Sequence, residues 1–214
     1  EVTLRQLSDR KGDALVSGIL EVIDELKPQH VSLVGGDPLV RYRELDVVVP
    51  KILERGVHVQ LVTSAFRQLN PSFIGLQHFN IVVSIDGLQP EHDKRRTPAT
   101  YDRILKSVKG HQITVHCTVT SQMMDRPGYL DEFMQFWSSQ AEVRKIWFST
   151  FTPQRGGTDP EILSPSQRND VVQELLRFRR VYPKLDMPEG MIKQFNHAPA
   201  SPDECVFAQT TETI

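Results

Sequence analysis

Apolar residues recur along this chain at two alternating periods. Leu15, Ile19, Val22, Ile23 and Leu26 fall at helical spacing, and Lys27-Pro28 closes that helix. The run Val31–Val34 follows, a β-branched and leucine segment that reads as a buried strand. Leu45, Val48, Val49, Ile52 and Leu53 mark a second helix, with Gly56 placed to end it. Val57–Val62 and Ile81–Ile85 read as the next two strands, and Thr100–Val108 as a short helix stopped by Gly110. Ile113–Val119 is a fourth strand, and Leu130, Phe133, Met134 and Trp137 are the apolar face of another helix. Arg144–Phe148 is a fifth strand. Ser164-Pro165-Ser166-Gln167 then opens a long helix: Ser164 caps, Pro165 suits the first turn, and Gln167 completes a capping box.

Strands therefore begin near positions 31, 57, 80, 112 and 144, with helical patterns between them. Spacings of that size fit crossovers between parallel strands, so the pattern predicts an α/β fold of about five parallel strands with helices outside. After Tyr182 the periodicity breaks at Pro183, Pro188, Pro199 and Pro202. Residues 1–182 are expected to form the barrel part, and 183–214 a tail that packs on it or leads toward another module.

In a parallel barrel the C-terminal ends of the strands form the functional face. Here they read Gly35-Gly36-Asp37-Pro38, Thr63-Ser64, Ser84-Ile85-Asp86-Gly87, Thr118-Val119-Thr120 and Ser149-Thr150. Each supplies hydroxyls, carboxylates or glycine. A ligand with an amino acid part and a ribose needs such groups: donors for a carboxylate, acceptors for an ammonium, partners for hydroxyls. Ordinary polar loops at strand ends are the plainer account of the same residues.

Composition narrows the class. The 214 residues are 39% hydrophobic and 24% charged, an ordinary globular balance. The net charge of −2 argues against an electrostatic nucleic-acid binder. No apolar stretch approaches the length of a membrane span. Two cysteines, Cys117 and Cys205, make no disulfide framework, and a reducing cytoplasm is the expected compartment.

Leu33-Val34-Gly35-Gly36-Asp37-Pro38-Leu39, Val82-Val83-Ser84-Ile85-Asp86-Gly87, His92-Asp93-Lys94-Arg95-Arg96 and Thr100–Leu105 together resemble the core of a radical S-adenosylmethionine (radical SAM) enzyme. The resemblance runs from about Pro28 to Thr152. It implies a partial (β/α)6 TIM-like barrel and a parent enzyme that cleaves S-adenosylmethionine reductively. The family does so at a 4Fe–4S cluster held by Cys-x-x-x-Cys-x-x-Cys, giving a 5′-deoxyadenosyl radical that takes hydrogen from the substrate.

By the same resemblance Gly35, Gly36 and Asp37, with Pro38 after them, hold the ligand's ammonium, mainly through the backbone. Ser84 and Arg96 take its carboxylate, and Asp86 lies near the ribose. Ser64 stands where many members carry Asn. Thr118, Thr120 and Ser149 line the cavity. Asp37 replaces the usual Glu. The cluster motif is absent from these residues, so the expectation is a fragment lacking its first strand and cluster loop, inactive by itself. The substrate is a peptide or a small molecule. A small-molecule-binding barrel without catalysis, and a phosphate-binding barrel enzyme, are the alternatives.

Cys117 alternates with Val115 and Val119 and reads as a structural strand residue. Cys205, in a polar tail, stands where members of the family place an auxiliary-cluster ligand. The seven histidines show no metal-binding spacing; His58 and His116 read as strand residues and His92 as a loop residue. Phe133 and Trp137 read as core.

Overall fold

The computed structural model describes residues 9–153, 157–197, 201–204 and 209–211. Five strands, β1 (His30–Leu33), β2 (His58–Thr63), β3 (Phe79–Ser84), β4 (Ile113–Val119) and β5 (Val143–Thr150), form one sheet. Every pair is parallel and the spatial order follows the chain order. Crossovers in parallel sheets are right-handed, so strands laid down in sequence place their connections on one face.

The helices are α1 (Asp13–Leu26), α2 (Tyr42–Leu53), α3 (Gln89–Arg96), α4 (Tyr101–Ser107), α5 (Ser121–Met124), α6 (Tyr129–Ser139), α7 (Pro165–Val181) and α8 (Glu189–Lys193). Burial follows the strand period of two. Leu61, Val83, Val115, Cys117 and Ile146 are fully buried and join Val49, Ile52, Ile104, Phe133, Trp137 and Phe178 from the helices in one core. The alternate positions, including Ser32, Gln60, Asn80, Ser84, His116 and Trp147, are half-buried or exposed and form the inner face. The predicted capping box closes as expected: Gln167 N donates to Ser164 Oγ at 3.2 Å, and Ser164 N to Gln167 Oε1 at 2.9 Å.

Several elements differ from the sequence-based expectations. β1 starts at His30 and ends at Leu33, its side chains exposed or half-buried; Val34 lies beyond it and is 61% exposed. β1 is an edge strand among the described residues, so its hydrophobic run lacks the cover of an interior strand. The connection from β2 to β3 contains no α-helix, only a 3-10 turn at Pro71–Phe73. Asn70, Pro71 and Gly75 favour turns there, and buried Leu69 and Phe73 supply the packing.

His92 is a fully buried member of α3, not a loop residue. That helix has no apolar stripe to announce it: the imidazole and the helix's ion pairs hold it. Past Tyr182 the chain stays on the same core for a stretch. Leu185 bridges Ile146 in parallel, and Leu185, Met187 and Ile192 are buried.

Candidate functional site

The loop after β1 is tied to the end of β2 by one carboxylate. Asp37 Oδ1 accepts from Leu39 N at 3.0 Å and from Thr63 Oγ1 at 2.7 Å. Asp37 Oδ2 accepts from Ser64 N at 2.8 Å and from Ser64 Oγ at 2.5 Å. Four donors occupy both oxygens, so the side chain is spent on orienting the loop. Pro38 opens the 3-10 turn that follows, with Asp37 as its cap. Ser64 likewise spends its hydroxyl on Asp37. Gly35 has φ +138°, open to glycine alone. Neither Gly35 nor Gly36 has a heavy atom within 4 Å of where a Cβ would stand, so space lies beside this backbone.

At the end of β3, Arg96 grips Asp86: Nε to Oδ2 is 2.6 Å and Nη2 to Oδ1 is 3.1 Å. Arg95 stands 3.8 Å from the same carboxylate and pairs with Glu161 from the β5–α7 connection. Asp86 is also fixed from its backbone, its N–H donating to His92 Nδ1 at 2.9 Å. His92 Nε2 lies 2.9 Å from the carbonyl of Ala99, which makes Nε2 the protonated nitrogen of a neutral ring. Burial holds the His92 pKa below the usual histidine value. Gly87 follows at φ +117°, and its carbonyl accepts from the Tyr101 hydroxyl, which in turn accepts from Trp137 Nε1 at 3.1 Å. Burial pushes the Tyr101 pKa far up.

Farther across the sheet, Thr118 Oγ1 and Ser149 Oγ are 3.1 Å apart, on register-paired positions. One layer below, the register sets Ser84 beside His116 and His116 beside Trp147. The Ser84 hydroxyl has no partner among the described residues, and burial lowers the His116 pKa. Thr120 is 2% exposed and heads α5. The structure thus sets Gly35, Gly36, Asp37, Pro38, Ser64, Ser84, Asp86, Arg96, Thr118, Thr120 and Ser149 at the same, C-terminal end of the sheet. Within that end, it pairs Arg96 with Asp86 and Ser64 with Asp37, pairings that sequence reading did not anticipate.

His92, His116, Trp147 and Glu161 were missed as site residues. The alternation of Thr114, His116 and Thr118 with Val115, Cys117 and Val119 marks one of them as inward-facing; nothing local marks the others.

The residues do not fit a cluster. Cys117 is completely buried among apolar side chains, and burial pushes its thiol pKa far up, away from the thiolate that iron requires. Cys205 lies outside the described residues. Among the described residues no group of three His, Cys, Asp or Glu side chains is placed to hold a metal ion. No helix of the described residues is long and apolar enough to cross a membrane. Two concavities are found among the described residues. One of about 470 Å³ is lined by Leu88, Tyr101 and Phe136 among others, and one of about 410 Å³ by Gln29, His30, Gly56 and His58. Neither is lined by the strand-end residues Gly35, Gly36, Asp37, Ser64, Ser84, Asp86, Thr118, Thr120 or Ser149.

No family model matches the chain, and no curated protein matches it. Solved structures do. Streptococcus suis SuiB bound to the precursor peptide SuiA aligns with a TM-score of 0.59 at 17% identity, over 82% of this chain and 42% of SuiB. The structure of anSMEcpe with bound AdoMet aligns at 0.58 and 15% identity, over 82% of this chain and 54% of that one. TYW1 with a lysine-pyruvate adduct aligns at 0.53 and 16% identity, over 83% and 62%. At such identities the likeness is one of fold: an α/β parallel sheet of the partial-barrel kind. The chain spans between about two fifths and three fifths of the length of these proteins.

Proposed function

We propose that this chain is the S-adenosylmethionine-binding barrel of a radical SAM enzyme. The observation that carries the reading is the open, glycine-lined backbone at Gly35-Gly36, set at the same sheet end as Ser84, Asp86, Arg96, Thr118 and Ser149. Support comes from the fold shared with a protein that binds AdoMet and from the sequence resemblance. Gly35 and Gly36 offer backbone groups to the ammonium. Ser84 and Arg96 offer donors to the carboxylate, with Arg96 exchanging part of its hold on Asp86. Asp86 offers acceptors to the ribose hydroxyls. When bound, the ligand supplies the radical chemistry; these residues bind and orient it.

The iron–sulfur cluster cannot be built from Cys117 and Cys205, the only cysteines present. On this proposal its thiolates come from outside residues 1–214, and no step of the reaction is assigned to this chain alone. The fragment reading, a barrel over 1–182 with 183–214 leading on, belongs to the same proposal, as does an auxiliary-cluster role for Cys205. A peptide substrate is the preferred class, because SuiB, of similar fold, binds a precursor peptide. A phosphate-binding barrel is the weaker reading, since the carboxylate of Asp37 sits at the very loop where an anion would have to dock.

The test is equilibrium binding of S-adenosylmethionine to a longer protein that includes the residues encoded upstream of Glu1, with iron and sulfide reconstituted without oxygen. Binding weak in residues 1–214 and tight in the longer protein, weakened by Ser84→Ala and by Asp86→Ala, is the expected result. Unchanged affinity in both variants would remove these residues from the site. An upstream sequence without Cys-x-x-x-Cys-x-x-Cys would end the proposal.

A further inference from the structure

Below the strand ends, the inner face of the sheet carries hydrogen-bonding groups on Gln60, Asn80 and Trp147 that the ligand assignments leave unused. Its layers follow from register. Ser32, Gln60 and Asn80 lie side by side across β1, β2 and β3, and Val62 and Val82 stand above them, with Thr114 and Lys145 continuing that layer across β4 and β5. Ser84, His116 and Trp147 come next, and Thr118 with Ser149 last, at the mouth. Sequential strand order puts the crossovers between these strands on the opposite face.

Two properties of that wall define what it fits. The first is charge. Lys145 is the only Lys, Arg, Asp or Glu among these inward positions, and it is tied to Asp186. Burial holds the His116 pKa below the usual histidine value, which favours its neutral ring. At these positions, among the described residues, no unpaired Lys, Arg, Asp or Glu is present, so they give little compensation for desolvating a charged group.

The second is unused hydrogen-bonding capacity of both signs. Gln60 spends its amide N–H on Ser32 Oγ at 3.4 Å, which leaves its carbonyl oxygen as an acceptor. Asn80 spends its carbonyl oxygen on Thr114 Oγ1 at 3.1 Å, which leaves its NH2 group as a donor. The indole N–H of Trp147 is buried with no partner among the described residues. A buried donor left unpaired is costly, and a ligand acceptor removes that cost.

We infer that this inner face binds an uncharged, amide-bearing chain, namely a peptide segment presenting C=O and N–H groups to Gln60, Asn80 and Trp147. The inference rests on the proposed function only in taking this face as the substrate's side of the mouth. Peptide amides offer donors and acceptors in alternation and no charge, which matches the wall in both respects. Phosphorylated or acidic substrates do not match it.

The experiment is a nitrogen-15 NMR titration of residues 1–214 with the capped neutral peptide acetyl-Gly-Asn-Ser-Gly-amide. The comparison ligands are acetyl-Gly-Asp-Glu-Gly-amide and inorganic phosphate. Saturable shifts of the Trp147 indole N–H and of the Gln60 and Asn80 side-chain amides are expected with the neutral peptide alone. Gln60→Leu and Asn80→Leu, whose own spectra report whether they fold, should each weaken binding by about fivefold, the worth of one hydrogen bond. No shift at millimolar peptide, equal shifts with phosphate or the acidic peptide, or unchanged affinity in both variants would overturn the inference. The titration uses neither S-adenosylmethionine nor a cluster, so its outcome is independent of whether the mouth binds that ligand.

Discussion

Asp37 and Ser64, 27 positions apart, are joined twice: the N–H and the hydroxyl of Ser64 both donate to Asp37 Oδ2, at 2.8 and 2.5 Å. This fastening fixes the loop after β1 against the end of β2 and so sets where the backbone of Gly35 and Gly36 stands. Replacing Asp37 by Ala removes the acceptor for four donors at once. Urea denaturation should show a loss of about 2–4 kcal/mol, since bonds to a charged acceptor are among the stronger ones and do not add fully. Asp37→Asn, which keeps one carbonyl oxygen, should lose less. A loss for Asp37→Ala within ordinary surface-mutation scatter would mean that the loop is held by something else.

Gly36 separates stability from binding. A Cβ there meets nothing within 4 Å, and its φ is not in the left-handed region. Gly36→Ala should therefore leave thermal stability unchanged or raise it slightly, by up to about 1 kcal/mol through the unfolded chain. The same methyl group fills the space through which a ligand would reach the backbone. If the proposed function holds, Gly36→Ala in the longer, reconstituted protein it calls for should weaken S-adenosylmethionine binding by about tenfold or more, a cost of the size expected when a close contact is blocked. Full affinity in this variant would show that the ligand does not approach Gly36.

His92 gives the fold a pH dependence of definite sign. Its folded pKa lies below the ordinary value of 6.5 because burial disfavours the charged ring. Below about pH 6.5 the unfolded chain binds the proton that the folded chain refuses, so stability falls as pH drops. Burial lowers His111 and His116 in the same direction, so they add to the effect. His92→Gln should be less stable than the natural chain at pH 7.5, having lost a bond to Asp86 N or to Ala99 O. It should also lose less of its remaining stability on acidification to pH 5.5. Denaturation midpoints at the two pH values measure this; identical pH slopes in both proteins would assign the dependence to other groups.

Tyr101 links the core to the site. Its hydroxyl donates to the Gly87 carbonyl and accepts from Trp137 Nε1, all in buried surroundings. Tyr101→Phe keeps the ring packing and strands both partners, at a cost of about 1–3 kcal/mol. It also frees the Gly87 carbonyl, next to Asp86, so NMR shifts in Asp86–Leu88 should exceed those elsewhere. A destabilised variant with an undisturbed 86–88 segment would confine Tyr101 to a packing role.

The neighbourhood of Arg96 illustrates how far sequence reading reaches. The motif Ser84-Ile85-Asp86-Gly87 with Arg96 ten residues beyond Asp86 marked a site, and the structure brings both to one sheet end. The direct grip of Arg96 on Asp86 was not legible, nor was Arg95 reaching Glu161, 66 positions away. Both depend on where a helix without an apolar stripe comes to rest.

The sequence by itself determined the order of elements, the parallel α/β class, the polar ends of the strands and the Ser164–Gln167 cap. Those features are written in local periods of two and 3.6 and in contacts between residues a few positions apart. It also determined that two cysteines cannot hold a cluster. Only the tertiary structure decided that the Asp37 carboxylate is spent on Thr63 and Ser64, that His92 is interior, and that Leu185 extends the core beside Ile146. It alone aligned Gln60, Asn80, Ser84, His116 and Trp147 on one inner wall. Those outcomes rest on strand register and on partners tens of residues apart, and no local pattern specifies which distant group will satisfy a buried donor or acceptor.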